Sequence, residues 1–204
     1  MVVNRFRATL PLTALLAILI PLRVQAAQEP TLTLSALAQR LKGTLTPDAA
    51  FLMERTLPAQ GITLRSRGEV HRTEPNTLEW VQKTPVAQTI VFSPKGISMR
   101  VEGESPEEVT AEAGSPISGL MTALPSLLAL DVASLEALFT LERLSTDESG
   151  AWELALAPKD ALLVKILEHA TVRGNATLEE IAFAARDGSS THIRFTPLPR
   201  ANTH

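Results

Sequence analysis

The sequence predicts an α+β fold: an antiparallel run of about ten short strands, preceded by one helix and interrupted by one helical insert. Three observations carry this. Apolar and polar residues alternate with period 2 in short stretches across residues 50–101 and again across 139–195, each bounded by turn residues. Residues 115–138 replace that rhythm with an apolar segment at helical spacing. No stretch has the strand–helix–strand pattern of a parallel unit. A sheet of this kind must bury one face, either against another sheet or by curling round helices.

In chain order, residues 1–26 read as a cleaved secretory signal. Arg5 and Arg7 are its positive start, Leu10 to Leu22 its apolar stretch, and Val24-Gln25-Ala26 its small-residue cleavage site. The apolar run is short for a membrane span and holds Pro11 and Pro21. The expected mature chain, 27–204, is a single domain, and its start carries no cysteine for lipid attachment. Leu34, Leu37, Ala38 and Leu41 then recur at helical spacing, with Thr33 or Ser35 as N-cap and Gly43 as terminator.

After Pro47 the chain turns to strands. Phe51, Met53, Arg55 and Leu57 share one side of the first. On the second, Ile62, Leu64, Ser66, Gly68 and Val70 alternate with Thr63, Arg65, Arg67, Glu69 and His71. Glu74-Pro75-Asn76 supplies a tight connection, because proline fixes φ and asparagine tolerates a left-handed backbone. Leu78, Trp80 and Gln82 share a face of the third strand, which Pro85 ends. Val86–Phe92 and Ile97–Val101 follow, separated by the Pro94-Lys95-Gly96 turn.

Beyond Gly103 the acidic run to Glu112 reads as an exposed loop or edge. The helical insert covers about 115–138, with Ser115 as N-cap, Pro116 at the first helical position and Leu120, Met121, Leu124, Leu127 and Leu128 at helical spacing. Pro125 is expected to end or kink it, and Asp131 to cap a further helix through Leu138. Strands resume at Phe139–Arg143 and Trp152–Leu156, while Leu162, Val164 and Ile166 fit either a strand or a helical turn. Val172–Asn175 reads as a turn. Leu178–Ala185, the Asp187-Gly188 hairpin signal, and Thr191, Ile193 and Phe195 close the sheet.

Composition narrows the function. Removing Arg5, Arg7 and Arg23 from the 19 Lys and Arg leaves 16 against 22 Asp and Glu, a charge of −6 that argues against nucleic acid or an anionic membrane surface. Absence of cysteine is compatible with an exported chain able to build a core. None of His71, His169, His192 and His204 has a partner at metal-ligand spacing, so no metal or other cofactor is expected. There is no G-x-S-x-G elbow and no Gly-rich phosphate loop, and Glu107-Glu108 and Glu179-Glu180 read as solvated charges. An enzyme is not expected.

A sheet curled round the apolar insert makes a concave, water-poor cavity. Candidate lining residues before the insert are Phe51, Met53, Leu64, Trp80, Ile90, Phe92 and Met99. Leu120, Met121, Leu124 and Leu128 come from the insert, and Phe139, Trp152 and Leu154 from the strands after it. For each, packing into the core is the competing fate, since any β-domain needs such residues inside. Methionine and leucine adapt to ligands of variable shape more easily than rings do.

Gly68, Pro75, Trp80 and Pro85 have the order and spacing of the central hairpin in the LolA-like family of periplasmic outer-membrane lipoprotein carriers, which the chain resembles. Phe51, the Val86–Phe92 strand with its Gly96 turn, and Asp187-Gly188 extend the resemblance over most of the chain beyond about residue 32. It implies a curved antiparallel sheet forming an unclosed half-barrel covered by a lid of α-helices. It also implies a periplasmic, monomeric carrier that takes an acylated lipoprotein or lipid from an inner-membrane export complex to an outer-membrane acceptor. The alternative is a periplasmic lipid sensor acting through a protein partner, although such regulators carry a second domain. One residue departs from the pattern. The carriers have a functional arginine, tied to lid closure, immediately before the proline matching Pro75, and here that position is Glu74. Arg72 lies on the same expected face and is the candidate to replace it, unless both are surface turn residues.

Overall fold

The computed structural model describes residues 32–42, 48–74, 77–93, 96–101, 107–108 and 116–199, with the side chains of 74, 107–108 and 116–122 left out. The expected signal at 1–26, the Gly43 terminator, Pro47, the Pro75-Asn76 and Pro94-Lys95 turn residues, Ser115 and His204 lie outside the described residues. All described elements belong to the compact unit Leu32–His204.

Helix α1 (Leu34–Arg40) starts where the Thr33 hydroxyl accepts from the Ala36 amide at 3.1 Å, which satisfies one of the free N–H groups of its first turn. A meander follows: β1 (Ala49–Leu57), β2 (Ile62–Glu74), β3 (Thr77–Thr84), β4 (Gln88–Ser93), β5 (Gly96–Val101) and the two-residue β6 (Glu107–Glu108). Helices α2 (Pro116–Ala129) and α3 (Val132–Leu138) lead into a second meander of β7 (Phe139–Thr146) and β8 (Trp152–Pro158). The turn of helix α4 (Leu163–Ile166) precedes β9 (Leu167–Gly174), β10 (Leu178–Ala185) and β11 (Ser190–Pro197).

The strands form one sheet in the order β6-β5-β4-β3-β2-β1-β11-β10-β9-β8-β7, antiparallel throughout. β6 and β7 stand at its two edges and do not pair, so the barrel is not closed. The meanders meet in the middle, where β1 pairs with β11 in the register Phe51↔Phe195 and Met53↔Ile193. Because the segment holding α2 and α3 joins strands at opposite edges, the chain has to pass from one side of the open sheet to the other there.

One buried cluster unites the inner face of the sheet with the helices. Leu34, Leu37, Ala123, Leu127 and Leu135 pack with Phe51, Leu154, Val172, Ile181 and Phe195. The burial follows the pleat: Trp152, Leu154 and Leu156 are buried while Glu153 and Ala155 are less so. Apolar area removed from water at about 25 cal/mol per Å² is the main force holding the helices to the sheet.

Three expectations need correction. Of the two fates expected at Pro125, an end is ruled out: α2 runs on to Ala129, since proline removes one backbone donor and a helix anchored by buried Ala123 and Leu127 tolerates that loss. Asp131 stands at the N-cap of α3, but its carboxylate accepts from the Ser134 hydroxyl at 2.5 Å and bonds no backbone amide. Residues 172–174, expected in a turn, end strand β9. Its pairing with β10 shifts between Ala184 and Ala185, so Leu167 and Ala170 both point inward three residues apart, and the extra residue of the bulge hides the period-2 signal.

Candidate functional site

A cavity of about 550 Å³ opens on the inner face of the sheet. Met53 of β1, Trp80 of β3, Ile90 and Phe92 of β4, and Ile193 of β11 form its apolar wall, and Leu124 of α2 meets them from the helical side. Ile166, Leu167 and Phe183 complete it on the other half of the sheet. Strand alternation makes this possible, because cross-strand neighbours Trp80↔Ile90 and Met53↔Ile193 present their side chains to the same face. The volume falls within the roughly 300–1,000 Å³ common for small-molecule sites.

An aromatic stack supports the wall. The Phe51 ring lies over Gly68 across the β1–β2 pair and stacks on Trp80 with centroids 3.9 Å apart and planes at 29°. Trp80 in turn meets Phe195 edge to face at 6.4 Å and 85°. A Cβ at residue 68 would stand 1.9 Å from the Val81 carbonyl oxygen and 2.7 Å from the Phe51 ring, so the stack requires glycine there. On the other half of the sheet the same device recurs: Trp152 covers its cross-strand partner Gly174 and donates from Nε1 to the Asn175 carbonyl at 2.9 Å.

Beside the neutral Gln82, Gln88, Ser189 and Thr191, the charged part of the lining is mainly cationic. Arg55, Lys165 and Arg186 are exposed and line the same cavity, alongside a single described carboxylate, Asp187. Arg186 fastens α4 to the β10–β11 turn, its backbone amide donating to the Ile166 carbonyl at 3.0 Å and its Nε to that of Val164 at 2.5 Å. The Asp187 carboxylate accepts from the amide and hydroxyl of Ser189 at 2.9 and 2.6 Å, which hold its pKa below the usual value, with a smaller contribution from the charge of Arg55. Gln82, buried beside the cavity, donates to the Val86 carbonyl at 3.0 Å.

The outer face is arranged differently. Glu54 is flanked by Arg65 and Arg194, each at 2.8 Å, and Glu153 by Arg143 and Arg173, while Arg173 also reaches Glu180 at 3.4 Å. Glu69 binds Lys83 and lies 3.3 Å from His71. Bonds from Arg65, Lys83 and Arg173 are the first cause of the lowered pKa values of Glu54, Glu69 and Glu153 respectively. His71 also lies 3.1 Å from Asp48, and His192 3.6 Å from Glu180. Among the described residues no cluster of side chains could hold a metal ion, and no helix is long and apolar enough to cross a membrane.

Of the residues expected to line a cavity, Met53, Trp80, Ile90, Phe92 and Leu124 do so. Phe51, Phe139, Trp152 and Leu154 are buried in the core instead. Leu128 lines a smaller cavity of about 240 Å³, shared with Phe92 and with Arg72, whose far side is formed by Pro125 and Asp131. Met99 pairs with Ile90 and is half-buried outside both cavities. Leu64 is 50% exposed, because β3 ends at Thr84 opposite Arg67 and leaves the start of β2 with a neighbour on one side only. The side chains of Leu120, Met121 and Glu74 lie outside the described residues. Sequence reading missed Phe183 and Ile193, which their alternation could have revealed. It also missed Arg55, although alternation puts it on the side of Phe51 and Met53, and Lys165 and Arg186, which carry no motif.

An open antiparallel sheet holding an apolar, ligand-sized cavity defines a half-barrel class of fold. The chain belongs to the outer membrane lipoprotein carrier protein LolA-like family, whose model matches residues 26–190. Among solved structures it is similar to MucB in the MucA/MucB complex of Pseudomonas aeruginosa, at 14% identity and TM-score 0.42, over 81% of this chain and 56% of that one. It is also similar to a putative outer membrane lipoprotein-sorting protein domain from Vibrio parahaemolyticus, at 13% identity and TM-score 0.42, over 84% and 92% of the two chains. LprF from Mycobacterium bovis gives 12%, 0.39, 83% and 94%. The chain thus spans a little more than half the length of the MucB chain. No curated protein matches.

Proposed function

We propose that this protein is a non-enzymatic periplasmic carrier that sequesters the acyl chains of a lipoprotein or lipid in the cavity lined by Met53, Trp80, Ile90, Phe92 and Leu124, and moves them from the inner towards the outer membrane. The observation that carries the reading is that cavity: about 550 Å³, walled by adaptable and aromatic side chains, in a chain of the LolA-like family. Each acyl methylene moved there from water contributes about 0.8 kcal/mol. Residues 1–26 act as the export signal. The segment holding α2 and α3 serves as the lid, a role supported by its course between opposite sheet edges and by Leu124 at the cavity.

The test is to purify the mature protein from periplasm without detergent, extract it with organic solvent and weigh the bound lipid by mass spectrometry. A near-stoichiometric acyl species is expected. Ile90→Trp, which fills the cavity, should lower its recovery tenfold or more while leaving the circular dichroism unchanged. A native protein that never carries lipid, either as isolated or after incubation with acyl compounds, would falsify the reading.

A further inference from the structure

Five of the described Arg and Lys side chains sit in ion pairs on the outer face, and of those that do not, three line the cavity. On the outer face, Arg65, Arg194, Arg143, Arg173 and Lys83 each pair with Glu54, Glu153, Glu180 or Glu69. At the cavity, Arg55, Lys165 and Arg186 form no ion pair with any described carboxylate. The one described carboxylate in the same lining, Asp187, has its Oδ1 bonded by Ser189 and feels Arg55 only as a smaller influence, so three cations share the cavity with a single carboxylate.

These cations are also placed, not merely present. The two bonds from Arg186 to the Val164 and Ile166 carbonyls hold α4 against the β10–β11 turn, which keeps Lys165 and Arg186 at one border of the cavity. Arg55 follows Met53 on the inner side of β1 and pairs with Thr191, another cavity residue. The apolar wall therefore ends in a group of exposed positive charges. Like charges brought together repel unless an anion offsets them, and guanidinium and ammonium donors bind carboxylate and phosphate oxygens in strong charge-assisted bonds.

We propose that the cargo is an amphiphile with an anionic head group, a carboxylate or phosphate seated on Arg55, Lys165 and Arg186 while its acyl part fills the cavity. This rests on the acyl-binding reading and adds the class of head group to it.

The experiment measures the affinities of hexadecyl phosphate, hexadecanoate and hexadecanol, which share one chain and differ in head group, for the delipidated native protein. The anions should bind about tenfold or more tightly than the alcohol, with a preference that shrinks as salt is raised. In the triple variant Arg55→Gln, Lys165→Gln, Arg186→Gln the ratio should fall to within about threefold. The outer-face triple Arg143→Gln, Arg173→Gln, Arg194→Gln, which removes the same charge, should retain it. Whichever anion binds more tightly names the head-group chemistry. Equal affinity for all three ligands, or a preference that survives the cavity triple, overturns the proposal while leaving acyl binding intact. Failure of all three to bind removes acyl binding itself, and the proposal with it.

Discussion

At Gly68 and Gly174 a methyl group would meet backbone oxygens at 1.9 and 2.1 Å and an aromatic ring at 2.7 Å in each case. The ring could shift, but the oxygen belongs to the backbone, so no side-chain movement relieves both contacts. Gly68→Ala and Gly174→Ala should each destabilise the fold by about 1–3 kcal/mol or more, read as a lower urea midpoint. Only Gly68→Ala should also disturb the cavity, because Phe51 stacks on Trp80 there. Legibility at this scale was uneven. Trp80 was readable because large apolar residues on an alternating strand have few other fates. Leu64 misled for the same reason, since alternation names a face but not how far along the strand its cover extends. Arg55 was legible as a strand neighbour of Phe51 and Met53 but not as a cavity residue, whereas Lys165 and Arg186, on a helical turn and a hairpin turn, have no alternation to place them.

At the scale of elements, the two tryptophans stand on different halves of the sheet and in different surroundings. Trp80 of β3 lines the cavity, whereas Trp152 of β8 is 2% exposed, clamped over Gly174 and hydrogen-bonded through its indole. A titration of Trp152→Phe with an acyl ligand should change the remaining tryptophan emission, and the same titration of Trp80→Phe should change it little. An equal response from both would argue for a rearrangement of the whole sheet on binding. Strands β1, β4 and β5 were legible because their pairing is regular, and β2 and β3 because the bulges between them leave the alternation of Ser66, Gly68 and Val70 and of Trp80 and Gln82 intact. β9 was not, because the bulge opposite Ala184 and Ala185 shifts its inward residues by one. α2 was legible as a helix, but its continuation through Pro125 depends on tertiary packing that local rules do not contain.

For the molecule as a whole, the paired outer face makes stability depend on acid. Glu54, Glu69 and Glu153 have folded-state pKa values below the ordinary 4.5, so their ionised forms favour the folded chain. Their contribution is fully present above about pH 4.5 and is lost as pH falls through the lowered values, the unfolded chain binding protons first. Urea midpoints measured from pH 6 to pH 3 should therefore decline. The decline should be shallower in Glu153→Gln, which removes one of the three linked carboxylates. The antiparallel run with a helical insert was evident from rhythm and turns alone. Closure was not, because periodicity says nothing about which strands become edges.

The central seam between β1 and β11 carries a temporal consequence. Met53 and Ile193, neighbours in the cavity wall, are separated by 140 positions of chain, and their strands sit side by side. Each meander can pair locally as it emerges, but the joint between them waits for the last strand. Long-range pairing of this kind slows folding, since a large loop must close before the contact forms. The cavity wall is consequently incomplete until β11 has been made, and a nascent chain that stops short of Ser190 lacks one side of it.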